Sequence, residues 1–420
     1  MTKTKASVLK ALCVLLVALT LVLSLASCNA NKDFVAERLG EFEVPEFHKD
    51  KLRGIEIVYR DYYFKDIPSA DVLSEDVASF YFEEFHNKID KENPDEVTDA
   101  LVNSYIEIIG DKYSFYRSAE EHEQYESDMS GSFSGIGVSV IYSYSDKIMT
   151  VTEVYAESGA EEAGIKIGDK IVKVNGEPLE EIGYDKAVYT IRGEIGTTVD
   201  ITLDRGGEEV TVTATRKKVV EKSVTYSIDE SKIGYIKISA FNDNTPEQFD
   251  TALNYLVENG AEGIVYDLRG NPGGYLNAVV KMLYRIAPKG TTIVSFSNGY
   301  APEYKDKTEA SLSLPTVVIC NESTASAGEL FTAAMRDFEA LGLFDVTIVG
   351  QKTYGKGVMQ NTYTFTDNSS ITVTVAYYNP PSGENYDGVG VTPDLTVDAG
   401  SEGDAQLDAA YTEINKLIIK

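Results

Sequence analysis

The stretch IGYIKISAFNDNTPEQFDTALNYLVENGAEGIVYDLRG, residues 233–270, decides the fold class of the second half of this chain. It begins and ends with short runs rich in Ile, Val and Tyr, which are typical of strands. A longer segment that predicts a helix separates the two runs. Because strand, helix and strand follow one another at these lengths, the stretch predicts an α/β unit with at least partly parallel strands.

The same alternation continues to residue 350, after which the pattern changes. The later segments are 275–287 (helix), 316–321 (strand), 326–341 (helix) and 345–350 (strand). Residues 360–383 then alternate with period two, which is antiparallel in character. We therefore predict an α/β core with a mixed sheet over residues 218–420.

The chain ahead of this core divides into regions of different composition, as expected for a chain too long for one hydrophobic core. Residues 127–217 contain five β-rich runs separated by glycines and two short helical segments, which predicts a complete small β-domain. Residues 74–126 carry apolar side chains at three- and four-residue spacing and predict an N-terminal helical region. Residues 28–73 are polar and weakly patterned, and we interpret them as a tether. The fold class is α/β and multidomain.

The first 27 residues predict a signal peptide. A basic start precedes the apolar run ALCVLLVALTLVLSLA, which is too short and too early to be a secure membrane span. The run ends in LASC, which resembles the bacterial lipobox, and this resemblance implies a lipid on Cys28. The alternative is an uncleaved anchor helix. Either interpretation predicts an extracytoplasmic protein held at a membrane.

Charge and cysteine content exclude some functions. The formal charge of −29 argues against a nucleic-acid partner, because no net positive field is available to neutralise phosphates. Cys13 lies in the predicted signal peptide and Cys28 is assigned to lipid, so no intramolecular disulfide is expected in the mature chain. The remaining cysteine, Cys320, closes the apolar run TVVIC, and we expect it to be buried in a strand rather than to act as a nucleophile.

The glycine-rich stretch VGQKTYGKGVMQ, residues 349–360, has two interpretations. It almost matches a phosphate-binding loop, but that loop needs a hydroxyl directly after the lysine, where Gly357 stands. The loop also needs a helix next, whereas VMQNTYTFT alternates like a strand. The phosphate interpretation therefore fails, and Lys356 remains as a candidate general base.

The positions of the histidines restrict the chemistry of the core. The sequence has three of them, His48, His86 and His122, and all precede residue 127. A Ser–His–Asp triad and a histidine-rich metal site are therefore excluded within the core. If the core performs nucleophilic hydrolysis, a lysine must be the base, and burial must lower its pKa so that it is neutral. The alternative for Lys356 is a solvated turn residue.

Ser326 is the candidate nucleophile. It lies in NESTASAGELFTAAM, residues 321–335, where a predicted strand ends and a predicted helix begins. Free amides at a helix N-terminus can stabilise a developing oxyanion, and small neighbouring residues let a polypeptide approach. The alternative is that Ser326 and Glu329 only form a capping box.

A third motif, YDLRGNPGGYLNAVV at residues 266–280, offers backbone donors. Gly273 and Gly274 lie in a predicted tight turn between a strand and a helix, where their N–H groups are suited to an oxyanion. Asp267 and Arg269 could pair to fix this loop. The alternative is ordinary strand-to-helix loop chemistry.

The small β-domain resembles a PDZ domain, most specifically in AGIKIGDKIVKVNG, residues 163–176. The resemblance implies that a loop ahead of residues 138–140 binds the terminal carboxylate of a peptide through backbone N–H groups. The peptide would then add as a strand beside Val138, Ser139 and Val140. The loop residues are Ser134, Gly135, Ile136 and Gly137.

Together these segments resemble the carboxyl-terminal processing peptidases, serine proteases with a Ser–Lys dyad and an embedded PDZ domain. The resemblance runs from about residue 105 to residue 397 and assigns Ser326 as the nucleophile and Lys356 as the general base. It assigns Gln360 to orient the lysine. The oxyanion donors that it implies are the amides of Gly273, Gly274 and Ala327.

The resemblance implies acyl transfer that needs no metal and no cofactor. Neutral Lys356 would take the proton of Ser326, which then attacks a peptide carbonyl. The implied partners are polypeptides with free, apolar C-termini and a membrane reached through the lipid on Cys28; a homo-oligomer is left open. The alternative from another class is a non-catalytic, lipid-anchored PDZ scaffold or holdase on a protease-like core.

Overall fold

The computed structural model describes residues 34–297, 300–308, 312, 314–400 and 403–419. Two compact units are present. Residues up to 118 together with 360–375 form the smaller unit, and residues 119–359 with the chain from 376 onwards form the larger unit. The predicted signal peptide, 1–27, and Cys28 lie outside the described residues. Among those described, no helix is both long and apolar enough to cross a membrane.

Helices and strands are numbered here in chain order. The helices are α1 (Val35–Arg38), α2 (Lys49–Tyr62), α3 (Ala70–Glu84), α4 (Pro94–Ile109), α5 (Ala119–Ser130), α6 (Gly159–Glu162), α7 (Leu179–Ile191), α8 (Thr245–Glu258), α9 (Leu276–Leu283), α10 (Ala327–Ala340) and α11 (Ala405–Ile419). The strands are β1 (Phe115–Arg117), β2 (Ser132–Gly135), β3 (Val138–Ser143), β4 (Ile148–Val154), β5 (Lys170–Val174), β6 (Glu177–Pro178), β7 (Thr198–Asp204), β8 (Glu209–Thr215), β9 (Lys217–Val220), β10 (Val224–Ile228), β11 (Ile233–Ile238), β12 (Gly263–Asp267), β13 (Thr292–Phe296), β14 (Tyr304–Lys305), β15 (Thr316–Cys320), β16 (Val346–Gly350), β17 (Val358–Thr364), β18 (Ser370–Asn379) and β19 (Leu395–Thr396).

The smaller unit is built from α1–α4, β1 and parts of β17 and β18. Its helices enclose an apolar core that includes the fully buried side chains of Leu52, Val77 and Leu101. β1 pairs antiparallel with β18, which places Phe115 opposite Thr372. The helical region that the sequence predicts here is therefore packed around a core of its own.

The segment predicted as a tether, residues 28–73, differs from that prediction. α2 lies within it and buries Leu52, Ile55, Val58 and Tyr59, which recur at helical spacing. The charged residues between these positions make the segment polar on average, so composition alone hides the periodicity. From Val35 onwards the segment belongs to the folded smaller unit.

The PDZ-like region is a small β-domain within the larger unit. β3, β4, β5, β7 and β8 form a sheet in that order, with β3 at one edge, and β6 pairs with β5. α6 and α7 complete the domain, whose core includes Met149, Ile171 and Ile201. The entering strand β2 and the leaving strand β9 pair antiparallel with each other. The predicted small β-domain with two helices is confirmed.

The protease-like core contains a second sheet, in the order β10-β11-β12-β15-β16-β19. β10 pairs antiparallel with β11, whereas the other neighbours are parallel. α8, α9 and α10 contribute to the apolar cluster on one face, and α11 contributes to the cluster on the other. The predicted α/β core with a mixed sheet is confirmed, while α11 was not predicted.

The three motifs singled out in the sequence all follow carboxyl ends of parallel strands. β12 leads into the turn at residues 273–274, β15 leads into Ser326, and β16 leads into Lys356. The carboxyl ends of parallel strands lie at the same edge of a sheet, where α/β proteins commonly form their sites. Segments far apart in sequence therefore come together at this edge.

Candidate active site

Ser326 occupies a strained turn directly before α10. Its φ of 54° and ψ of −117° lie in a region that residues with a Cβ rarely adopt. The neighbouring backbone holds this conformation, because the Ala325 amide donates to the Asn271 carbonyl at 2.9 Å and the Leu330 amide donates to the Ser326 carbonyl at 2.9 Å. Strain of this kind persists only where the surroundings fix it, and it concentrates at functional sites.

Glu329 joins the turn at Ser326 to the lysine loop, residues 351–357, which lies between β16 and β17. This carboxylate is fully buried, and its Oε1 accepts from the Thr353 hydroxyl at 2.5 Å and the Gly355 amide at 2.6 Å. Its Oε2 accepts from the Lys356 amide at 2.7 Å and from the Ser326 amide at 3.0 Å. Glu329 therefore accepts the hydrogen bond from the Ser326 backbone amide that belongs to a capping box, as the alternative interpretation of Ser326 predicts. The same oxygen also fixes the backbone of Lys356.

The backbone of the lysine loop is closely packed on both sides of Lys356. A Cβ on Gly357 would lie 2.7 Å from the amide nitrogen of Asp387, and the φ of Gly355 is +93°. Gly357 is thus required because neighbouring backbone lies too close for a Cβ, and Gly355 is required because its φ is positive. β17 follows directly, so the chain continues as a strand and not as the helix of a phosphate-binding loop. Lys356 itself is partly buried.

The glycine turn lies against Ser326. A Cβ on Gly273 would lie 2.7 Å from Cβ of Ser326 and 2.9 Å from the amide nitrogen of Ala327. The Gly273 amide donates to the Asn271 side chain at 2.8 Å, however, so it is already occupied in this geometry. The assignment of this amide as an oxyanion donor stays a prediction. The role of Gly273 here is close contact with Ser326.

Gly274 and Ala327 carry the other two amides that the sequence predicts as oxyanion donors, and this role stays a prediction. Gly274 forms an isolated parallel bridge with Phe241, and a Cβ there would lie 2.2 Å from the Phe241 carbonyl oxygen. That bridge uses the carbonyl of Gly273 and the amide of Tyr275, not the amide of Gly274. Ala327 is the first residue of α10, where helix amides have no partner within the helix.

The predicted pairing of Asp267 with Arg269 is present and extends further. The guanidinium approaches Asp267 Oδ2 to 2.6 Å and Asp404 Oδ1 to 2.6 Å, and the Tyr235 hydroxyl donates to Asp267 at 2.8 Å. Hydrogen bonding from Arg269 holds the pKa of Asp404 below its usual value. This network joins the residue before α11 to the loop that leads into the glycine turn.

Tyr378 contacts the same site and was not singled out in the sequence. Its hydroxyl donates to the Lys356 carbonyl at 3.0 Å. Burial raises the pKa of this hydroxyl above its usual value. The period-two pattern of the tail predicts a strand here, but it gives no signal that this tyrosine bonds to the backbone of Lys356.

Cys320 and Gln360 are two further residues that the sequence analysis singled out. Cys320 is fully buried at the end of β15, and burial raises the pKa of its thiol to about 12, as expected for a cysteine that is not a nucleophile. Gln360 lies on β17, four residues after Lys356, in a segment that belongs to the smaller unit. Its assignment as the residue that orients the lysine stays a prediction.

The predicted carboxylate loop of the β-domain is a turn built on close backbone approach. Ser134 and Gly135 belong to β2 and pair with β9, while the Ile136 and Gly137 carbonyls accept from the amides of Ala160 and Tyr155. A Cβ on Gly137 would lie 2.4 Å from Cβ of Ser158. β3 follows at the sheet edge, where a peptide strand can add.

Comparison with known proteins defines the class. Residues 232–397 match the family described as peptidase family S41, and residues 124–204 match the family described as PDZ domain. A region that matches peptidase family S41 is therefore preceded in the chain by a region that matches a PDZ domain. This agrees with the predicted resemblance to the carboxyl-terminal processing peptidases. Among the described residues, no cluster of side chains has a metal-binding arrangement.

Individual relatives share most of this chain. A probable CtpA-like serine protease of Staphylococcus haemolyticus is 34% identical over 311 residues, which cover 73% of this chain and 61% of that protein. A protein of Staphylococcus aureus with the same description is 35% identical with the same coverages. The chain thus spans about three fifths of the length of these relatives. A putative S41 protease from Bacteroides fragilis has a similar fold, with a TM-score of 0.55 and 16% identity over 86% of this chain and 97% of that chain.

Proposed function

We propose that this chain is a serine endopeptidase with Ser326 as nucleophile and Lys356 as general base. The observation that carries the proposal is the buried Glu329 carboxylate, one oxygen of which accepts the backbone amides of both residues. The two candidate residues are thereby held at one edge of the sheet, next to a helix N-terminus and a glycine turn.

The proposed reaction is an acyl transfer from a peptide to Ser326 and then to water. Neutral Lys356 takes the proton of the Ser326 hydroxyl while Oγ forms a bond to the carbonyl carbon of a peptide. The oxyanion develops near the N-terminus of α10, where the Ala327 amide and the helix dipole stabilise negative charge. The C–N bond then breaks, Lys356 returns the proton to the leaving amine, and water releases the acyl group. Gln360 orients the lysine.

The PDZ domain and the N-terminal segment extend the proposal to substrate and location. The PDZ domain binds the free, apolar C-terminus of a polypeptide at residues 134–137, and the substrate adds as a strand beside β3. The lipobox-like sequence supports a lipid on Cys28 that holds the enzyme at the outer side of a membrane. In that location the enzyme trims or degrades exported proteins.

The test compares cleavage by the full chain, kept in detergent, with cleavage by matched variants. The substrate is an unstructured polypeptide that ends in small apolar residues, and mass spectrometry identifies the products. Ser326→Ala and Lys356→Ala should each abolish cleavage. Ser323→Ala and Lys352→Ala change exposed residues of the same two loops and should leave cleavage unchanged.

The outcomes separate the candidate functions. Cleavage that persists in either dyad variant means that the dyad assignment is wrong. If the parent protein binds the substrate tail but cleaves nothing, the non-catalytic PDZ scaffold becomes the better explanation.

A further inference from the structure

Asn271 lies where three backbone segments of the larger unit meet beside Ser326. The residue is fully buried in the loop between β12 and α9. Its backbone carbonyl accepts from the amide of Ala325, the residue before Ser326, at 2.9 Å. Its side chain bonds to Ile238 at the end of β11 and to Gly273 in the glycine turn. One residue therefore joins a strand end, the glycine turn and the turn at Ser326.

The two side-chain bonds fix the orientation of the Asn271 amide. The backbone N–H of Gly273 is a donor, so only Oδ1 of Asn271 can face it, at 2.8 Å. Nδ2 therefore points the other way and donates to the Ile238 carbonyl at 2.9 Å. A carboxylate of the same shape can only accept. The position consequently requires a group that is uncharged and that donates and accepts at the same time.

The backbone that Asn271 holds is packed closely around Ser326. A Cβ on Gly273 would lie 2.7 Å from Cβ of Ser326, and a Cβ on Gly328 would lie 3.2 Å from the Asn271 carbonyl oxygen. The backbone of Ser326 has a positive φ of 54°, which its neighbours must maintain. A shift of the glycine turn or of Ala325 would therefore displace Ser326.

We propose that Asn271 is a positioning residue for the Ser326 turn, which it holds against the glycine turn. This inference rests on the proposed function. Asn271 acts through the backbone of Gly273 and Ala325, and it exchanges no proton and forms no covalent bond during the reaction. Its loss should therefore lower the rate of attack by Ser326 more than it weakens the binding of a polypeptide.

The first experiment removes both side-chain bonds. In the full chain, Asn271→Ala should lower kcat about ten- to a hundredfold with little change in KM, because two buried backbone groups lose their partners. Labelling of Ser326 by a small fluorophosphonate should slow by a similar factor. The two loops stay joined by the bond from the Thr324 hydroxyl to the Leu268 carbonyl at 2.9 Å, so we expect the variant to fold. Rates are expressed per folded molecule, as measured by circular dichroism.

Gln248 provides a matched control. Its partly buried side chain makes the same pair of bonds elsewhere in the larger unit, since it donates to the Glu221 carbonyl at 2.7 Å and accepts from the Val224 amide at 3.1 Å. Gln248→Ala should lose stability but keep the parent kcat and labelling rate. Equal losses of kcat in the two variants would mean that Asn271 has only a structural role, which overturns the proposal.

The second experiment uses pH to restore the missing donor. As a carboxylate, the group that Asn271→Asp introduces accepts from Gly273 but faces the Ile238 carbonyl without a proton to donate. Burial raises the pKa of such a group, and its protonated form donates to that carbonyl as the amide does. The ratio of variant kcat to parent kcat should therefore rise at least about threefold from about pH 8 to about pH 5.5, while titration of Lys356 cancels in the ratio. A ratio that is below one and independent of pH overturns the proposal.

The remaining outcomes distinguish this inference from the proposed function. If Ser326→Ala abolishes cleavage but Asn271→Ala matches the parent in kcat and labelling, the positioning role is wrong and the dyad stands. If Asn271→Ala does not fold, the pH dependence of Asn271→Asp decides. If Ser326→Ala still cleaves, the dyad and the positioning role are both overturned.

Discussion

Glu329→Gln is the substitution that most directly tests the architecture of the site. Glutamine keeps the size of the side chain, but it replaces one acceptor oxygen by an NH2 group that cannot accept. The carboxylate receives four donors, two on each oxygen. Whichever way the amide turns, two buried donors therefore lose their acceptor.

The expected loss of stability follows from the number of donors that lose their acceptor. A buried donor left without an acceptor costs about 1–3 kcal/mol, so for two such donors the free energy of unfolding of the larger unit should fall by about 2–6 kcal/mol. Two of the four donors are the amides of Ser326 and Lys356. Displacement of either residue should lower kcat/KM at least about a hundredfold, which corresponds to about 2.7 kcal/mol of transition-state stabilisation.

The assay combines denaturant unfolding with proteolysis. The chain has no tryptophan, so unfolding is followed by circular dichroism rather than by tryptophan fluorescence. Glu322→Gln is the matched control, because this carboxylate is exposed in the same segment and should change neither property. A Glu329→Gln variant that unfolds at the same denaturant concentration and cleaves at the parent rate would refute the inference that this carboxylate fixes the dyad.

Two further substitutions test other parts of the structure. Gly273→Ala should lower kcat/KM at least about tenfold, because the new Cβ would lie 2.7 Å from Cβ of Ser326; Gly270→Ala, which also has a positive φ but open space around it, should lose stability without that loss of activity. If both variants retain activity, the close contact has no catalytic role. Burial raises the pKa of Glu56 to about 7, so its contribution to stability is complete below the pKa of a free glutamate and is lost as the pH rises to about 7. Glu56→Gln should therefore remove about 3 kcal/mol of pH-dependent stability between pH 4 and 8, measured as unfolding midpoints against pH, whereas exposed Glu83→Gln should keep the parent profile.

The fold was largely predictable because its signals are local. The parallel sheet follows from strands and helices that alternate at short distances along the chain. The absence of histidine from residues 218–420 restricted the base to a lysine before any geometry was known. Ser326 and Lys356 could be singled out because each lies where a predicted strand ends in a loop with small residues.

The contacts within the site were not predictable, because they join positions that are distant in sequence. The sequence predicts Glu329 only as a local cap of Ser326. Two of the four groups that donate to its carboxylate nevertheless belong to residues 353 and 355. Tyr378 reads as an ordinary strand residue. The bond from the Gly273 amide to Asn271 was also not predictable, because it depends on a buried side chain whose direction the sequence does not reveal.

The arrangement around Glu329 also bears on how a carboxylate can lie near a lysine base. A carboxylate paired with an ammonium stabilises the charged form, which would make the lysine a poor proton acceptor. Glu329 reaches Lys356 through the backbone amide, and its two oxygens accept four donors from the protein. A buried carboxylate whose hydrogen bonds are satisfied in this way holds the loop without requiring a positive charge on the lysine side chain. This arrangement is therefore compatible with the proposed mechanism, in which Lys356 is neutral when it takes the proton of Ser326.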